Sequence, residues 1–261
     1  MESRETKQRE PLTLGSLFDG SGGFPLAGIL AGVEPVWASE IEPFAIRVTT
    51  KRLPKMRHYG DVSGISGADL EPVDIITFGS PCQDLSIAGK RSGLDGSRSG
   101  LFFEAVRIVK EMREKTHGEK PRFIVWENVP GAFSSNKGED FKAVLEEIIR
   151  IKEPEAPPLP PPEKGRWPYA DCYLGDGWSV AYRVLDARYW GVPQRRARIF
   201  LVADFAGGRA PEVLFESEGV SGYTPQGFRQ GEGTAGDPEE SPGAAGGTDA
   251  GGRGRVILND Q

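Results

Sequence analysis

Apolar positions come in blocks separated by polar, Gly-rich breaks over most of the chain, and the period within each block predicts its element. Leu12 to Phe18 (LTLGSLF) predicts a buried strand, closed by a tight turn at Asp19 to Gly23 (DGSGG). Phe24 to Val33 predicts a helix, with Pro25 tolerated in its first turn. Glu34 to Glu40 reads as a second strand and Pro43 to Leu53 as a helix. Val73 to Ser80 is a third apolar strand that runs into Pro81 to Gly100, a Gly- and Ser-rich stretch with almost no apolar period and therefore a long loop. Apolar residues recur every three to four positions in Leu101 to Lys115, the mark of a helix with one buried face. Pro121 to Val129 returns to strand and Asp140 to Ile151 to helix. Lys152 to Gly165 is too rich in proline for a helix or a central strand and predicts an extended surface connection. Strands resume in Trp178 to Trp190 and Arg196 to Phe205. Beyond Gly207 glycine and acidic residues dominate, as in a mobile loop, and Val256 to Asp260 reads as a strand cut off from its neighbours.

Strands alternating with helices imply an α/β fold, a mainly parallel sheet with helices on both faces, in which ligands collect at the carboxyl ends of the strands. The predicted segments divide into a polar leader (1–11), one core (12–206) and a flexible remainder (207–261).

Composition narrows the class. No stretch has the 18 or so apolar residues that span a bilayer, and the charged start MESRETKQRE lacks a signal peptide's apolar centre, so no membrane role and an intracellular, cytoplasmic location are expected. Two cysteines, Cys82 and Cys172, and two histidines, His58 and His117, in unrelated contexts predict neither a disulfide framework nor a metal site. The net charge of −6 counts against a nucleic-acid partner at first sight. Residues 201–261, however, hold ten acidic and four basic side chains, which accounts for the whole surplus. Phosphate contacts need only a local basic surface, so acidity weakens that partner without excluding it.

The breaks hold the candidate chemistry. Gly20, Gly22 and Gly23 at the first strand-to-helix junction suit close backbone approach to a ligand. Asp19 beside them would repel a pyrophosphate but suit the ammonium of an amino-acid-like ligand. Glu40, about 20 residues on, is the carboxylate expected for a ribose diol, and Asp61 can accept from an adenine amine. Each has a plainer role open to it: a structural turn, a solvated strand-end carboxylate, a cap. Cys82 sits between Pro81 and Gln83 just beyond a buried strand, where a thiolate can reach a substrate, whereas Cys172 reads as a small buried hydrophobe. Glu127 ends an apolar strand, where desolvation can raise a carboxyl pKa for proton transfer, or where a salt bridge can hold it. In PQRRAR (Pro193 to Arg198), Arg196 and Arg198 share one face of an extended segment and Arg195 the other; the pair can grip a phosphate or a base carbonyl.

Phe18 to Gly23 (FDGSGG), Gly79 to Ser86 (GSPCQDLS), Glu127 to Val129 (ENV) and Gln194 to Arg198 (QRRAR), in this order and spacing, resemble the DNA cytosine-C5 methyltransferase family over roughly Leu12 to Ala203. The resemblance implies a Rossmann-like methyltransferase fold using S-adenosylmethionine, with S-adenosylhomocysteine as product and double-stranded DNA as substrate. It implies that Cys82 adds to C6 of a flipped-out cytosine, that Glu127 engages N3 and the exocyclic amine, and that Arg198 holds O2, with Arg196 close by and Gln194 shaping the same wall. Pro81 would position the nucleophile and contact both base and cofactor. Phe18 and Ile41 would pack on the adenine, Glu40 bind the ribose hydroxyls, Asp61 the adenine amine, and Leu101 contribute to the cofactor pocket. Gln83, Ser86, Ile87 and Lys90 would belong to the loop that closes over DNA, with Gly89 and Gly93 as its flexible points.

Family members continue past QRRAR into a recognition region and a final segment carrying a GNSV-type motif, which this chain lacks. A fragment of a longer enzyme is the favoured expectation, and one subunit of a split enzyme, completed by a second chain, is the other. Target sequence and association with a restriction system, a phage or a mobile element are not legible. The rival readings are a transfer-RNA cytosine-C5 methyltransferase and a non-catalytic accessory protein. A dinucleotide oxidoreductase is weaker, because Asp19 faces the place of the pyrophosphate.

Overall fold

A computed structural model describes residues 10–80, 100–215 and 255–256. The segment from Pro81 through residue 99, which holds Cys82, and most of the acidic tail, lie outside the described residues. The described strands form one nine-stranded sheet in the order β3-β2-β1-β4-β5-β8-β7-β6-β9. The strands are β1 (Thr13–Leu17), β2 (Glu34–Ser39), β3 (Arg57–His58), β4 (Ile75–Phe78), β5 (Phe123–Asn128), β6 (Ala170–Gly175), β7 (Trp178–Asp186), β8 (Ala197–Asp204) and β9 (Arg255–Val256). The helices are α1 (Gly23–Leu30), α2 (Pro43–Arg52), α3 (Leu101–Lys115), α4 (Glu139–Lys152) and α5 (Ala210–Leu214).

The half from β3 to β5 is parallel, as expected. The β5–β8, β8–β7 and β7–β6 pairs are then antiparallel. β6 was not anticipated, because YADCYLGDG mixes polar and apolar residues without a clear period. Trp178 to Trp190 does not stay extended throughout: β7 ends at Asp186, whose carboxylate accepts from the Arg188 N–H at 3.2 Å and starts a 3-10 turn over Ala187–Trp190. Arg255 and Val256 pair in parallel with Tyr173 and Leu174 of β6, and the rest of the strand-like run to Asp260 lies outside the described residues. Packed structure extends past residue 206, with α5 lying against β7 and β8.

The two-residue period of the strands divides the core between two faces. Leu17, Ile76, Phe78, Ile124, Trp126 and Leu201 project to one side and pack with α3 and α4 through Phe102, Val109, Phe141 and Ile148. Trp37 lies under Gly15 so closely that a Cβ there would stand 2.1 Å from its ring, which explains a glycine inside a buried strand. The intervening residues Phe123, Val125 and Val202 face the other side, where α5 covers them with Ala210 and Leu214. α1 lies on this second face too, with Gly28 against Leu14. Helices therefore cover both faces, as expected for the fold class.

Candidate active site

The site lies on the second face, at the edge where β1, β4 and β5 end. β1 leaves the sheet through Phe18, a non-glycine residue at φ 55°, followed by Gly20 at φ 54° and Gly22 at φ 85°. A side chain at Gly22 would face both a left-handed backbone and a 2.8 Å approach to Thr49 Cγ2, so glycine is required there. The next strand ends at Glu40. Its Oε2 accepts from the Gly20 N–H at 2.6 Å, and its Oε1 from Ile41 N–H at 2.8 Å and Glu42 N–H at 2.9 Å. A glycine turn and a strand-end carboxylate 20 residues apart are thus tied into one unit. Ile41, 70% exposed, stands beside it.

Asp19 differs from Glu40. It is 7% exposed, and among the described residues no group stands in good hydrogen-bond geometry to either carboxylate oxygen, the nearest candidate being the Ser16 hydroxyl. Burial pushes its pKa up to about 6; the nearby Ser16 hydroxyl opposes the rise and the charge of Glu40 adds to it. Asp61 takes the plainer role that the sequence left open. Its Oδ1 accepts from the Ser63 N–H and hydroxyl, both at 2.9 Å, capping a 3-10 turn, and these bonds hold the exposed carboxyl below its usual range.

The reacting end comes from β4, β5 and β8. Glu127 and Phe200 are paired across the antiparallel β5–β8 ladder, so Arg198, two residues before Phe200, projects from the same face as Glu127. Its Nε lies 2.8 Å from Glu127 Oε1, and its Nη1 donates to the Ala197 carbonyl at 2.8 Å. In place of a lone desolvated carboxyl, Glu127 is one partner of an ion pair whose side chains are each 24% exposed. Its other oxygen lies beside Gly79, where a Cβ would stand 3.2 Å away. QRRAR reaches this edge only because β8 runs antiparallel: the amino end of β8 meets the carboxyl end of β5.

These parts line one cleft of about 630 Å³, with Phe18, Asp19 and Gly23 at one end and Glu127, Arg196 and Arg198 at the other. Arg196 and Arg198 share the cleft as their spacing required, while Arg195 and Gln194 are exposed and do not line it. Leu101 begins α3 half-buried against the core and is not among the lining residues. Sequence reasoning missed the apolar wall: Phe24 and Ala27 of α1, and Trp190 and Val192 beyond β7. The helical period gave no reason to assign Phe24 and Ala27 to a ligand rather than to the core.

A second missed feature fixes Ser80 at the end of β4. The Asn128 amide donates to the Ser80 carbonyl at 3.1 Å, and Trp126 Nε1 to the Ser80 hydroxyl at 3.2 Å, all four groups buried. Ser80 lies two residues before Cys82. Pro81, Cys82, Gln83, Ser86, Ile87, Gly89, Lys90 and Gly93 themselves lie outside the described residues. Cys172 is half-buried on β6 and free, and burial with the neighbouring Asp171 pushes its thiol pKa up, the opposite of a reactive thiolate. Among the described residues no cluster of three potential metal ligands occurs, and no helix is long and apolar enough to cross a membrane.

Comparison with known proteins agrees with this arrangement. The model of the C-5 cytosine-specific DNA methylase family matches residues 12–152. A DNA N-6-adenine-methyltransferase of Escherichia phage P1 is 36% identical over 80% of this chain and 31% of its own length. The type II methyltransferase M2.BsuMI of Bacillus subtilis is 33% identical over 72% of this chain and 41% of its own. The chain therefore spans less than half the length of these relatives. A crystal structure of a prophage-encoded putative DNA modification methyltransferase from E. coli superposes with a TM-score of 0.50 at 24% identity, covering 74% of this chain and 46% of that one, a likeness of fold.

Proposed function

This chain belongs to the C-5 cytosine-specific DNA methylase family, and from that premise we propose that it carries the catalytic half of an enzyme that methylates C5 of a flipped-out cytosine in double-stranded DNA. The observation that carries the reading is the Glu127–Arg198 pair at 2.8 Å, on the same edge of the sheet as the segment leading to Cys82. Cytosine C5 is a poor nucleophile. Addition of the Cys82 thiolate to C6 pushes electron density to C5, which can then take a methyl group; a base removes the C5 proton and the thiolate leaves by elimination. Glu127 would bind N3 and the exocyclic amine, stabilising charge on the ring, and Arg198 the O2 edge, with Arg196 beside it. Pro81 and Gln194 would shape the base pocket, and Gln83, Ser86, Ile87 and Lys90 the contact with DNA.

S-adenosylmethionine would supply the electrophilic methyl on its sulfonium. The residues at and beside the other end of the cleft fit it: a glycine turn without side-chain bulk and a buried carboxyl at Asp19 in the lining, and next to them a fixed strand-end carboxylate at Glu40. Phe18, Gly20, Gly22, Gly23, Ile41 and Leu101 would complete this end. Asp61 would reach an adenine amine while its Oδ1 keeps the Ser63 turn.

The chain spans less than half the length of these relatives; the partner proposed is double-stranded DNA, and a second polypeptide carrying the recognition region and the remaining segment is the alternative to one longer chain that carries them all. The adenine chemistry in the phage P1 protein's name gives a second reading, since that match has the highest identity of those named, though over 31% of that protein. One experiment separates the readings: labelled methyl transfer to unmethylated DNA and to transfer RNA by this chain, alone and with such a second chain, followed by identification of the methylated nucleoside. 5-Methylcytosine in DNA that disappears in Cys82→Ser supports the proposal. N6-Methyladenine, or label confined to transfer RNA, overturns it.

A further inference from the structure

We infer that Asp19 selects for a positively charged cofactor over its uncharged product, acting as a fixed negative charge in the floor of the cleft; this rests on the S-adenosylmethionine reading. The sulfonium carries a charge that the product thioether has lost, so a negative charge whose field reaches that atom favours the cofactor, whereas its attraction for the α-ammonium that both share favours neither.

A carboxyl with both oxygens shielded from water and unbonded to protein is unusual, because desolvation without compensation costs stability. Glu40, at the neighbouring strand end, has its charge compensated by three backbone N–H groups. Asp19 has none, although it lies in the same turn and lines the cleft. The cleft is polarised along its length. Its acid Asp19 stands at the β1 end, with Glu40 outside the lining but tied to the Gly20 N–H next to it, whereas its arginines, Arg196 and Arg198, stand at the β5–β8 end, with Arg198 already paired to Glu127. A cation is favoured at the first end, and an oxygen-rich ring edge at the second. Direct contact with the cation is not required, since a field in a water-poor surrounding acts over several ångströms.

Protonation provides the switch. The pKa near 6 means that Asp19 is charged at neutral pH and neutral in mild acid. Few other groups there titrate. Ser16 on β1 and Thr49 on α2 do not, Glu40 beyond β2 is the carboxylate that raises Asp19, and the His58 ring on β3, bonded to Thr49 at 3.1 Å, is held below its usual value by burial against the charge of Glu40. A cation whose field lowers the Asp19 pKa by one unit binds about tenfold tighter to the charged form.

The test is calorimetric binding of sinefungin, a stable cationic analogue, and of S-adenosylhomocysteine to the 261-residue chain between pH 5 and 8, in wild type and Asp19→Asn. The expected result is a preference for the cationic ligand that falls about tenfold as pH drops through 6 in wild type, and is absent and pH-independent in the variant. Wild type alone suffices if the variant does not fold. A preference that is flat with pH, or unchanged in Asp19→Asn, overturns the inference and leaves the cofactor reading intact. Failure of wild type to bind either ligand removes both.

Discussion

Arg198 and Glu127, 71 residues apart in the chain, meet with Nε 2.8 Å from Oε1 because β8 lies antiparallel beside β5 and places both side chains on one face of the sheet. Each side chain is 24% exposed, so the pair contributes little to folding. On the proposed function, its value would lie in holding two groups at a fixed spacing before a base arrives.

Substitution should therefore separate activity from stability. Glu127→Gln and Arg198→Lys are each expected to reduce the methyl-transfer rate by about 10²-fold or more, while the unfolding free energy changes by about 1 kcal/mol or less. Single-turnover kinetics beside urea denaturation check this. A large loss of stability with unaltered turnover would contradict it.

The tether at Ser80 makes the reverse prediction. Asn128→Ala leaves the buried Ser80 carbonyl without its donor and should cost about 1–3 kcal/mol. If the tether fixes the root of the nucleophile segment, the rate constant for transfer should also fall with the affinity for cofactor unchanged. Chemical denaturation together with separate measurement of binding and turnover tests both halves.

Asp19 should destabilise the fold at neutral pH. Its folded pKa, about 6, lies above the unfolded value of 3.8, so the folded state holds the extra proton between these values and its stability falls as pH rises through the window. Asp19→Asn is expected to raise stability by about 2–3 kcal/mol above pH 7, with the gain vanishing towards pH 4. Thermal unfolding across that range is the measurement, and a loss of stability at pH 7 would refute the claim.

Asp204 provides the opposite case. It is fully buried at the end of β8, where Arg122 Nε and Nη2 donate to its two oxygens at 2.9 and 3.0 Å and the Ala206 and Arg209 N–H groups add to them. Burial works against the charged form, but these bonds together hold its pKa below the usual carboxylate range. A depressed folded pKa stabilises the fold above the unfolded value, and that contribution is lost as pH falls through the folded value. Asp204→Asn should cost about 3 kcal/mol at pH 7 and less in acid, checked by urea unfolding at both pH values.

The sequence by itself determined the long, periodic elements. α3 falls on Leu101–Lys115, as its three-to-four-residue spacing required, and β1, β2, β5 and β8 fall within a few residues of their apolar runs. Local patterning is enough there, because burying a stripe or a face selects one period. It also picked out the glycine turn, Glu40 and Glu127, which close apolar runs that had to end at the edge of a sheet, and the two cleft arginines, which stand where another such run begins. Only the tertiary structure decided the rest. β6 has no period to read, and β7 stops at Asp186 because a carboxylate caps the following turn. Whether a strand-end acid is satisfied depends on N–H groups brought from elsewhere: Glu40 finds three, and Asp61 becomes a cap. Asp19, one residue from a glycine, finds none. The meeting of Arg198 with Glu127 depended on an antiparallel neighbour that no local signal announced, because strand order and direction follow from packing across the whole sheet rather than from any window of sequence.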